Sequence, residues 1–540
     1  MASKFLYRLA FLTPLSIFCF LAIAQQAPNI LVIIADDFGT DYCGFYENAG
    51  DTAKMPHVRS LLAKGVRFQN AWGTPYCSPS RACLMTGRYP FRTGVGTVIG
   101  GANSPSLDTA EMSLAKMLRN HAPTRYATAH IGKWHMNPSS PQALLYPTRV
   151  FGYDYFAGNF LGVINDYNNW TKIVNGVSRT VTKYATTETV NDAITWLDTV
   201  NNRTPFFMWL AFNAPHSPFH KPPDSLHTVQ GLTGTTAHIN QNPKLYFKAM
   251  TEAMDTEIGR LFRYLASIGR LENTQIIFIG DNGNAAQTAQ LAADANRVKG
   301  TLYEGGIRVP LIIAGSQVVQ PNRVSAALTG TVDLYATILE MAGFQNWLDY
   351  IPSVKKPVDA KSLMSVLKNQ NTGSRTWTFS EQFSAASQAV EGKTIRNAVF
   401  KLIRFDNGQQ AFYNLMTDPT ERTNLLSRNL SSLERENYTF LCNELSLLVG
   451  TNRCLNVPTS DLADLGVKVS PTLFSESLFV ETPDVFDYQL MDISGKVQLS
   501  GRRQGRTKIS TQALPIGTYL LTVKTHRGGG SVKVVKVVGY

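Results

Sequence analysis

Five short runs in this 540-residue chain are apolar at nearly every position: NILVIIA at 29–35, YATAHI at 126–131, PFFMWLAF at 205–212, QIIFIG at 275–280 and VPLIIAG at 309–315. A strand with one wet face alternates between apolar and polar residues. A run without alternation predicts a strand covered by helices on both sides. Between these runs the spacing turns helical, most plainly over 244–265, where Leu245, Ala249, Met250, Ala253, Met254, Ile258, Leu261, Phe262 and Leu265 recur every three to four residues. Strand alternating with helix predicts an α/β domain on a mostly parallel sheet, extending over 25–354. Over 355–456 the texture changes: TIRNAVFKLIRF and QAFYNL read as antiparallel strands, TDPTERTNLL as a turn followed by helix, and 433–448 as a helix, together a small α+β unit. From 457 to 540, short strands near 486–491, 496–499, 518–523 and 532–538 alternate with glycine-rich turns, the pattern of a small β-sandwich behind a linker at 458–471.

The carboxyl ends of the apolar runs carry reactive side chains. Asp36-Asp37 follow the first, Lys133 and His135 the second, His216 the third and Asp281-Asn282 the fourth. Open α/β sheets bind ligands at that edge. Asp36, Asp37, Asp281 and Asn282 offer only oxygen donors, a set suited to a hard cation, calcium before magnesium. Between the first two runs lies TPYCSPSRACLMTGR, residues 74–88. Serine before proline predicts a helix N-cap, and Gly87 a stop. Cys77 is thereby expected just outside a helix N-terminus, where free N–H groups and the dipole attract anions.

Composition narrows the class. With 44% hydrophobic and 17% charged residues the chain is globular, not disordered. Lys4 and Arg8 precede an apolar stretch at 11–23 that closes on Ala22-Ile23-Ala24, the pattern of a secretory signal peptide over 1–24 and of a secreted or cell-surface protein. No later run is long and apolar enough for a transmembrane segment. The formal charge of +12 falls to +10 without the two leader cations. Basic clusters interleaved with aromatics are absent, so nucleic acid is not the expected partner, and an anionic polymer outside the cell suits the balance better. Five cysteines follow the leader: Cys43, Cys77, Cys83, Cys442 and Cys454. Cys442 and Cys454 are close enough to bridge, Cys43 and Cys83 pair or stay buried, and Cys77 is the natural odd one out.

Cys77-Ser78-Pro79-Ser80-Arg81, followed by Thr86-Gly87, resembles the signature of the formylglycine-dependent (type I) sulfatases of the alkaline phosphatase superfamily. The resemblance extends from about residue 29 to 426 through ADD (35–37), GKWH (132–135), APHSP (214–218), GDNG (280–283) and KGTLYEGGIRVP (299–310). It implies an alkaline-phosphatase-like fold, a large mixed and mostly parallel sheet between helices with a smaller C-terminal α+β subdomain. It also implies that a maturation enzyme oxidises Cys77 to formylglycine, whose hydrate carries two hydroxyls. One attacks sulfur and displaces the alcohol; the other then collapses to the aldehyde and expels sulfate. On the same grounds Asp36, Asp37, Asp281, Asn282 and the modified Cys77 bind Ca2+, with Mg2+ the lesser choice. Arg81 and Lys133 hold diol and sulfate oxygens, and His135 is the base for diol collapse. His216 and Lys299 bind sulfate and protonate the leaving oxygen, and Asp281 takes the first diol proton.

The expected substrate is a sulfated polysaccharide or oligosaccharide. Small aryl sulfates, phosphonate monoesters or phosphodiesters are alternatives, as is a glycan-binding relative without turnover. Loops at 94–106 and 152–170 are expected to set specificity, with Tyr153, Tyr155, Phe156, Tyr167 and Trp170 stacking on sugar rings and His220 touching substrate. Glu304 and Arg308 are expected to support the turn at Gly305-Gly306. In GDNGN, Asn284 stands where relatives often carry a small hydroxyl or acidic residue. The tail, with DISGK, LPIGTY and a closing Lys/Val strand, resembles the C-terminal sorting domains of Bacteroidetes type IX secretion; a carbohydrate-binding sandwich is the alternative.

Overall fold

A computed structural model describes residues 27–537, apart from 48, 102–103, 291–295, 356, 371–372, 374, 385–389, 452–453, 456–461, 463–465, 494 and 527. The leader expected at 1–24 and half of the linker expected at 458–471 lie outside the described residues. Ten strands form the main sheet: β1 (Asn29–Ala35), β2 (Gly65–Trp72), β3 (Ala127–Gly132), β4 (Tyr155–Gly158), β5 (Trp170–Val174), β6 (Val177–Val181), β7 (Phe206–Ala211), β8 (Thr274–Gly280), β9 (Leu311–Ala314) and β10 (Arg323–Gly330). Their order is β10-β2-β9-β8-β1-β7-β3-β4-β5-β6. β9 is antiparallel to both β8 and β2, and β5 to both β4 and β6; the remaining pairs are parallel, so only β9 and β5 oppose the common direction.

The unbroken apolar run of β1 is explained by its place at the centre of this sheet. Ile30, Val32 and Ile34 face one core, shared with helices α1 (Cys77–Thr86) and α2 (Leu114–Asn120). Leu31, Ile33 and Ala35 face the other, shared with α3 (Ala185–Thr199) and α4 (Pro243–Ser267). A fifth helix, α5 (Asp333–Met341), covers the first face. Burying both faces drives the sheet together and aligns the carboxyl ends of β1, β3, β7 and β8 side by side.

A second, antiparallel sheet runs β11 (Thr378–Gln382), β12 (Gly392–Arg396), β13 (Phe400–Phe405) and β14 (Gln410–Asn414). Helix α6 (Ser432–Val449) lies on it through Leu441 and Leu445, with a Ser431/Glu434 capping box at its start and Gly450 in the left-handed conformation at its end. The helix expected after TDPTERTNLL is only a 3-10 turn, Leu425–Ser427. There the Asp418 carboxylate accepts from the amides of Arg422 and Thr423, and the Asn424 side chain accepts from Leu426, which bends the backbone into a loop.

The last unit comprises β15 (Lys468–Ser470), β16 (Leu473–Phe474), β17 (Ser477–Glu481), β18 (Val485–Asp492), β19 (Val497–Gln504), β20 (Thr507–Ser510), β21 (Gly517–Thr525) and β22 (Gly528–Lys536). They form a three-stranded and a five-stranded sheet sharing one apolar core, as the sandwich pattern predicts. Cys442 and Cys454 are bridged, whereas Cys43, Cys77 and Cys83 are free thiols, all buried, so the possible Cys43–Cys83 pair is not formed. Among the described residues, no helix is long and apolar enough to cross a membrane.

The aromatic residues expected to stack on sugar are mostly core. Tyr153, Phe156, Tyr167 and Trp170 are each buried, and Tyr155 is half-buried. Tyr153 and Phe156 pack edge-on or tilted around His130, and the Tyr167 hydroxyl lies 2.8 Å from the carbonyls of both Asn213 and His216. Closing the β3–β5 side of the sheet demands that apolar mass inside.

Glu381, on β11, is completely buried and accepts from the Phe91 amide at 2.7 Å. Burial pushes its pKa up to about 8, because Lys393 at 3.9 Å is too distant to offset desolvation. The folded protein thus keeps a proton that the unfolded chain releases near pH 4.5. Stability contributed by that proton is complete below pH 4.5 and falls away as pH rises toward 8. Glu381→Gln, which mimics the protonated acid, is expected to be neutral at pH 4 and to stabilise by about 4 kcal/mol at pH 8–9, read from denaturant unfolding at the two pH values.

Candidate active site

The strand ends deliver the expected residues to one buried cluster. Oxygen or sulfur atoms of Asp36, Asp37, Cys77 and Asp281 all lie within 4.8 Å of one another. Asp37 follows β1 with φ +58, a left-handed conformation unusual for a non-glycine residue and typical of functional turns. Cys77 is 2% exposed and sits 3.7 Å from Asp37 Oδ1.

Cys77 is the first residue of α1 and not the residue before it. Tyr76, extended, occupies the cap position without a side-chain hydrogen bond. Ser78, the expected cap, instead accepts from the Ile99 amide at 3.1 Å. Ser80 takes over the local anchoring: its hydroxyl accepts from Thr74 N and donates to the Asp281 carbonyl at 2.5 Å. The helix N-terminus therefore points into the cluster with Cys77 at its tip. Burial pushes the Cys77 thiol well up, outweighing Lys133 and Lys299, so the unmodified side chain is a protonated thiol.

The cations interleave with the acids. Lys133 Nζ donates to Asp36 Oδ2 at 2.5 Å, and Arg81 donates through Nε and Nη2 to Asp281 Oδ2 at 3.1 and 2.7 Å. Arg81 Nη1 also donates to the Lys133 carbonyl, which His130 Nε2 approaches at 3.0 Å. Gly132, at φ +97, allows this turn: a Cβ there would lie 1.8 Å from the Ala211 carbonyl oxygen. Burial opposes ionisation of Asp36, but Lys133, Arg81 and Lys299 outweigh it and hold the carboxyl far below its ordinary range. For Asp281, burial and the Asp36 charge prevail over Arg81 and push it up to about 6.

Two buried oxygens in this cluster, Asp36 Oδ1 and Asn282 Oδ1, have no hydrogen-bond partner. Orphaned acceptors within an all-oxygen set are what a hard cation would satisfy, so the residues fit one. Asn282 Nδ2 donates to Asp37 Oδ1 at 2.9 Å. Asn284 is not part of the donor set: it is buried, its Oδ1 accepts from Gly39 N, and its Nδ2 reaches the Asp37 carbonyl.

The remaining expected residues divide between wall and mouth. His135, at φ +57, is buried; its Nε2 lies 2.8 Å from the Ile99 carbonyl and its Nδ1 has no partner. A carbonyl only accepts, so Nε2 carries the proton and Nδ1 a free lone pair. Burial, then Lys133 and Arg81, lower its pKa well below the ordinary value and keep the ring neutral. His216 and Lys299 are partly exposed at the opening. Lys299 Nζ lies 2.6 Å from Asp37 Oδ1 and 2.7 Å from Oδ2, and 3.2 Å from His216 Nε2. His216 Nδ1 donates to the Ser217 carbonyl at 2.6 Å, which leaves Nε2 to accept from Lys299. His220 does not join them. It packs against the Tyr167 ring at 4.2 Å, its Nε2 lies 3.1 Å from the Tyr184 hydroxyl, and burial lowers its pKa to about 4.

Sequence reasoning passed over His130, which stacks on Trp209 and braces the Lys133 carbonyl. Its one sequence signal is a lone polar ring in an otherwise apolar strand.

A protein-family profile described as Sulfatase matches residues 28–344, and one described as N-sulphoglucosamine sulphohydrolase, C-terminal, matches residues 298–438. An ulvan-active sulfatase of Formosa agariphila is 25% identical over 419 residues, 74% of this chain and 77% of its own. The N-acetylgalactosamine-6-sulfatase of Mus musculus is 26% identical over 448 residues, 74% of this chain and 82% of its own. The crystal structure of Ps i-CgsB in complex with k-i-k-neocarrahexaose shares the fold, with a TM-score of 0.65 at 24% identity over 82% of this chain and 97% of that one.

Proposed function

Since the chain belongs to the sulfatase family and is a sulfuric ester hydrolase, we propose that it cleaves sulfate esters of a sulfated glycan at Cys77 after conversion of that residue to formylglycine, with calcium held by Asp36, Asp37, Asp281 and Asn282. The observation that carries this reading is the buried convergence of Cys77 with three carboxylates, Arg81 and Lys133. The names of the relatives, one for ulvan and one for N-acetylgalactosamine 6-sulfate, support a sugar sulfate.

The cation would supply positive charge that polarises the sulfate. The hydrated aldehyde would supply two hydroxyls on one carbon, one to take sulfur and one to release it. The chain's own residues do the rest. Arg81 and Lys133 are fixed by Asp281 and Asp36, so they present charge without reorganising as negative charge builds on the sulfate oxygens. His135 presents its Nδ1 lone pair and accepts the proton lost when sulfate is released. Lys299, paired with His216 at the mouth, binds a sulfate oxygen and donates to the oxygen of the departing alcohol. We also infer export through the 1–24 leader and sorting through 457–540 by type IX secretion, on the leader pattern and the tail motifs.

The test is release of inorganic sulfate from a panel of sulfated algal and host polysaccharides by material matured in its native host, together with the mass of the Cys77 peptide. An aldehyde at position 77 with sulfate release is the expected pair. A free thiol in a fully active enzyme overturns the reading.

A further inference from the structure

The small C-terminal subdomain reaches the catalytic backbone through a buried ion cluster outside the site described above. Glu304 opens a four-residue helical turn, Glu304–Ile307, just after Lys299. Glu304 is 8% exposed, and its carboxylate accepts from Trp72 Nε1 at 3.0 Å and from Lys401 Nζ at 3.1 Å, with Arg396 Nη1 at 3.6 Å. Lys401, on β13, is fully buried, lies 4.9 Å over the Trp72 ring and sits 2.8 Å from Glu421 Oε1. Glu421 in turn accepts from the Glu304 amide at 2.5 Å through its other oxygen, from a left-handed backbone at φ +59. Glu421 thus holds the backbone of Glu304 and Lys401 its side chain.

The turn they grip is tied to the site at every step. Lys299 N donates to the Asn284 carbonyl at 3.0 Å, and Gly300 N donates to the Pro75 carbonyl at 2.9 Å. Gly283 N donates to Gly306 O at 2.8 Å, and Gly73 N donates to Ile307 O at 2.7 Å. Gly283 approaches so closely that a Cβ on it would lie 1.9 Å from the Gly305 carbonyl oxygen. The turn behind Lys299 is therefore hydrogen-bonded to the Asp281-Asn282 turn and to the segment leading into Cys77. A second contact has the same sense: Ser380 on β11 donates to the Gly73 carbonyl at 3.0 Å.

We propose that Glu421 and Lys401 are positioning residues for sulfate ester cleavage, acting through Glu304 to hold Lys299 where it can protonate the departing oxygen. This rests on the role given to Lys299 above. Loss of the grip displaces Lys299 while leaving the residues around Cys77 in place, because those are bonded to one another. A displaced proton donor matters most when the departing alcohol is a poor leaving group and little when it leaves readily as an anion. General loss of folded protein would lower turnover of all substrates alike.

The experiment compares aryl sulfates of similar shape and different leaving ability, 4-nitrophenyl and 4-methoxyphenyl sulfate, on full-length matured enzyme. Glu421→Gln keeps the shape of the side chain. It is expected to lower kcat about tenfold on the methoxy ester and less than about threefold on the nitro ester, with any rise in KM equal for the two esters. Lys401→Met is expected to act in the same sense, and Lys401→Arg to retain wild-type selectivity between the two esters. Lys401→Met leaves two buried acids without their lysine; if it fails to fold, Glu421→Gln decides alone. Equal loss on both esters, or none, overturns the inference. Lys299→Ala separates the two levels. If it shows the selective loss and Glu421→Gln does not, only the inference fails; if Lys299→Ala shows no selectivity, the role of Lys299 fails and the inference with it.

Discussion

Cys77→Ala is expected to reduce kcat for sulfate ester hydrolysis about 10^5-fold, a change of about 7 kcal/mol in transition-state stabilisation. The magnitude follows from removing the nucleophile while the rest of the site stays assembled. Asp36 keeps Lys133, Asp281 keeps Arg81, and α1 keeps its anchor through Ser80. The melting temperature should therefore move little, which separates loss of chemistry from loss of structure. Cys77→Ser makes a sharper companion. A serine offers one hydroxyl where the hydrated aldehyde offers two, so the first displacement proceeds and the release step has no second oxygen. Alcohol should appear in a burst equal to the enzyme present and then stop, with sulfate retained on residue 77. Stopped-flow detection of 4-nitrophenol beside ion chromatography of sulfate reads both events. Steady turnover of the alanine variant would remove Cys77 from the chemistry altogether.

Chelation should produce the second large effect. With the cation removed, the two orphaned oxygens of Asp36 and Asn282 stay unsatisfied and three buried carboxylates are left to Arg81, Lys133 and Lys299 alone. Dialysis against EGTA is expected to lower turnover by about 10^3-fold, the loss of a principal charge at the reacting sulfate. It should also lower thermal stability. A ligand present at one hundred times its dissociation constant contributes about 2.7 kcal/mol to the folded state, and that contribution disappears with it. Calcium should restore both readouts at lower concentration than magnesium, because the donor set is all oxygen and magnesium gives up its own water reluctantly. If neither ion moved the melting temperature of the dialysed protein, the ion pairs would be sufficient by themselves and the metal assignment would fall.

Much of this site was legible before any fold was known. β1, β3, β7 and β8 are visible as continuous apolar runs because both of their faces are covered, and the residues that follow them are the ones that meet at Cys77. The helix over 243–267 is equally visible, since its buried side repeats at helical spacing. Strands nearer the edges of the sheet were not. β2 carries Arg67, Gln69 and Asn70, β10 begins with Arg323, and β6 is exposed along most of its length, so their patterns do not stand out from loops. The aromatic residues at 152–170 misled for a related reason: a ring that stacks on sugar and a ring that fills a core have the same composition.

Local pattern, then, was enough to pick out the candidate groups, oxygen donors after central strands, a cysteine beside a helix N-terminus and cations close by in sequence, while the sulfate chemistry was implied by the resemblance of the motif to its family. Which donors face one another depended on contacts between residues 40 to 262 positions apart, such as Cys77 with Asp37 or Lys299 with Asp37. Nor does spacing along the chain show the tautomer of His135, set by the Ile99 carbonyl, or the grip of Lys401 and Glu421 on the turn behind Lys299. Spacing along a chain encodes periodicity and burial; it does not encode the partner that arrives from another strand or another sheet, and it is that partner which decides charge, proton position and reach.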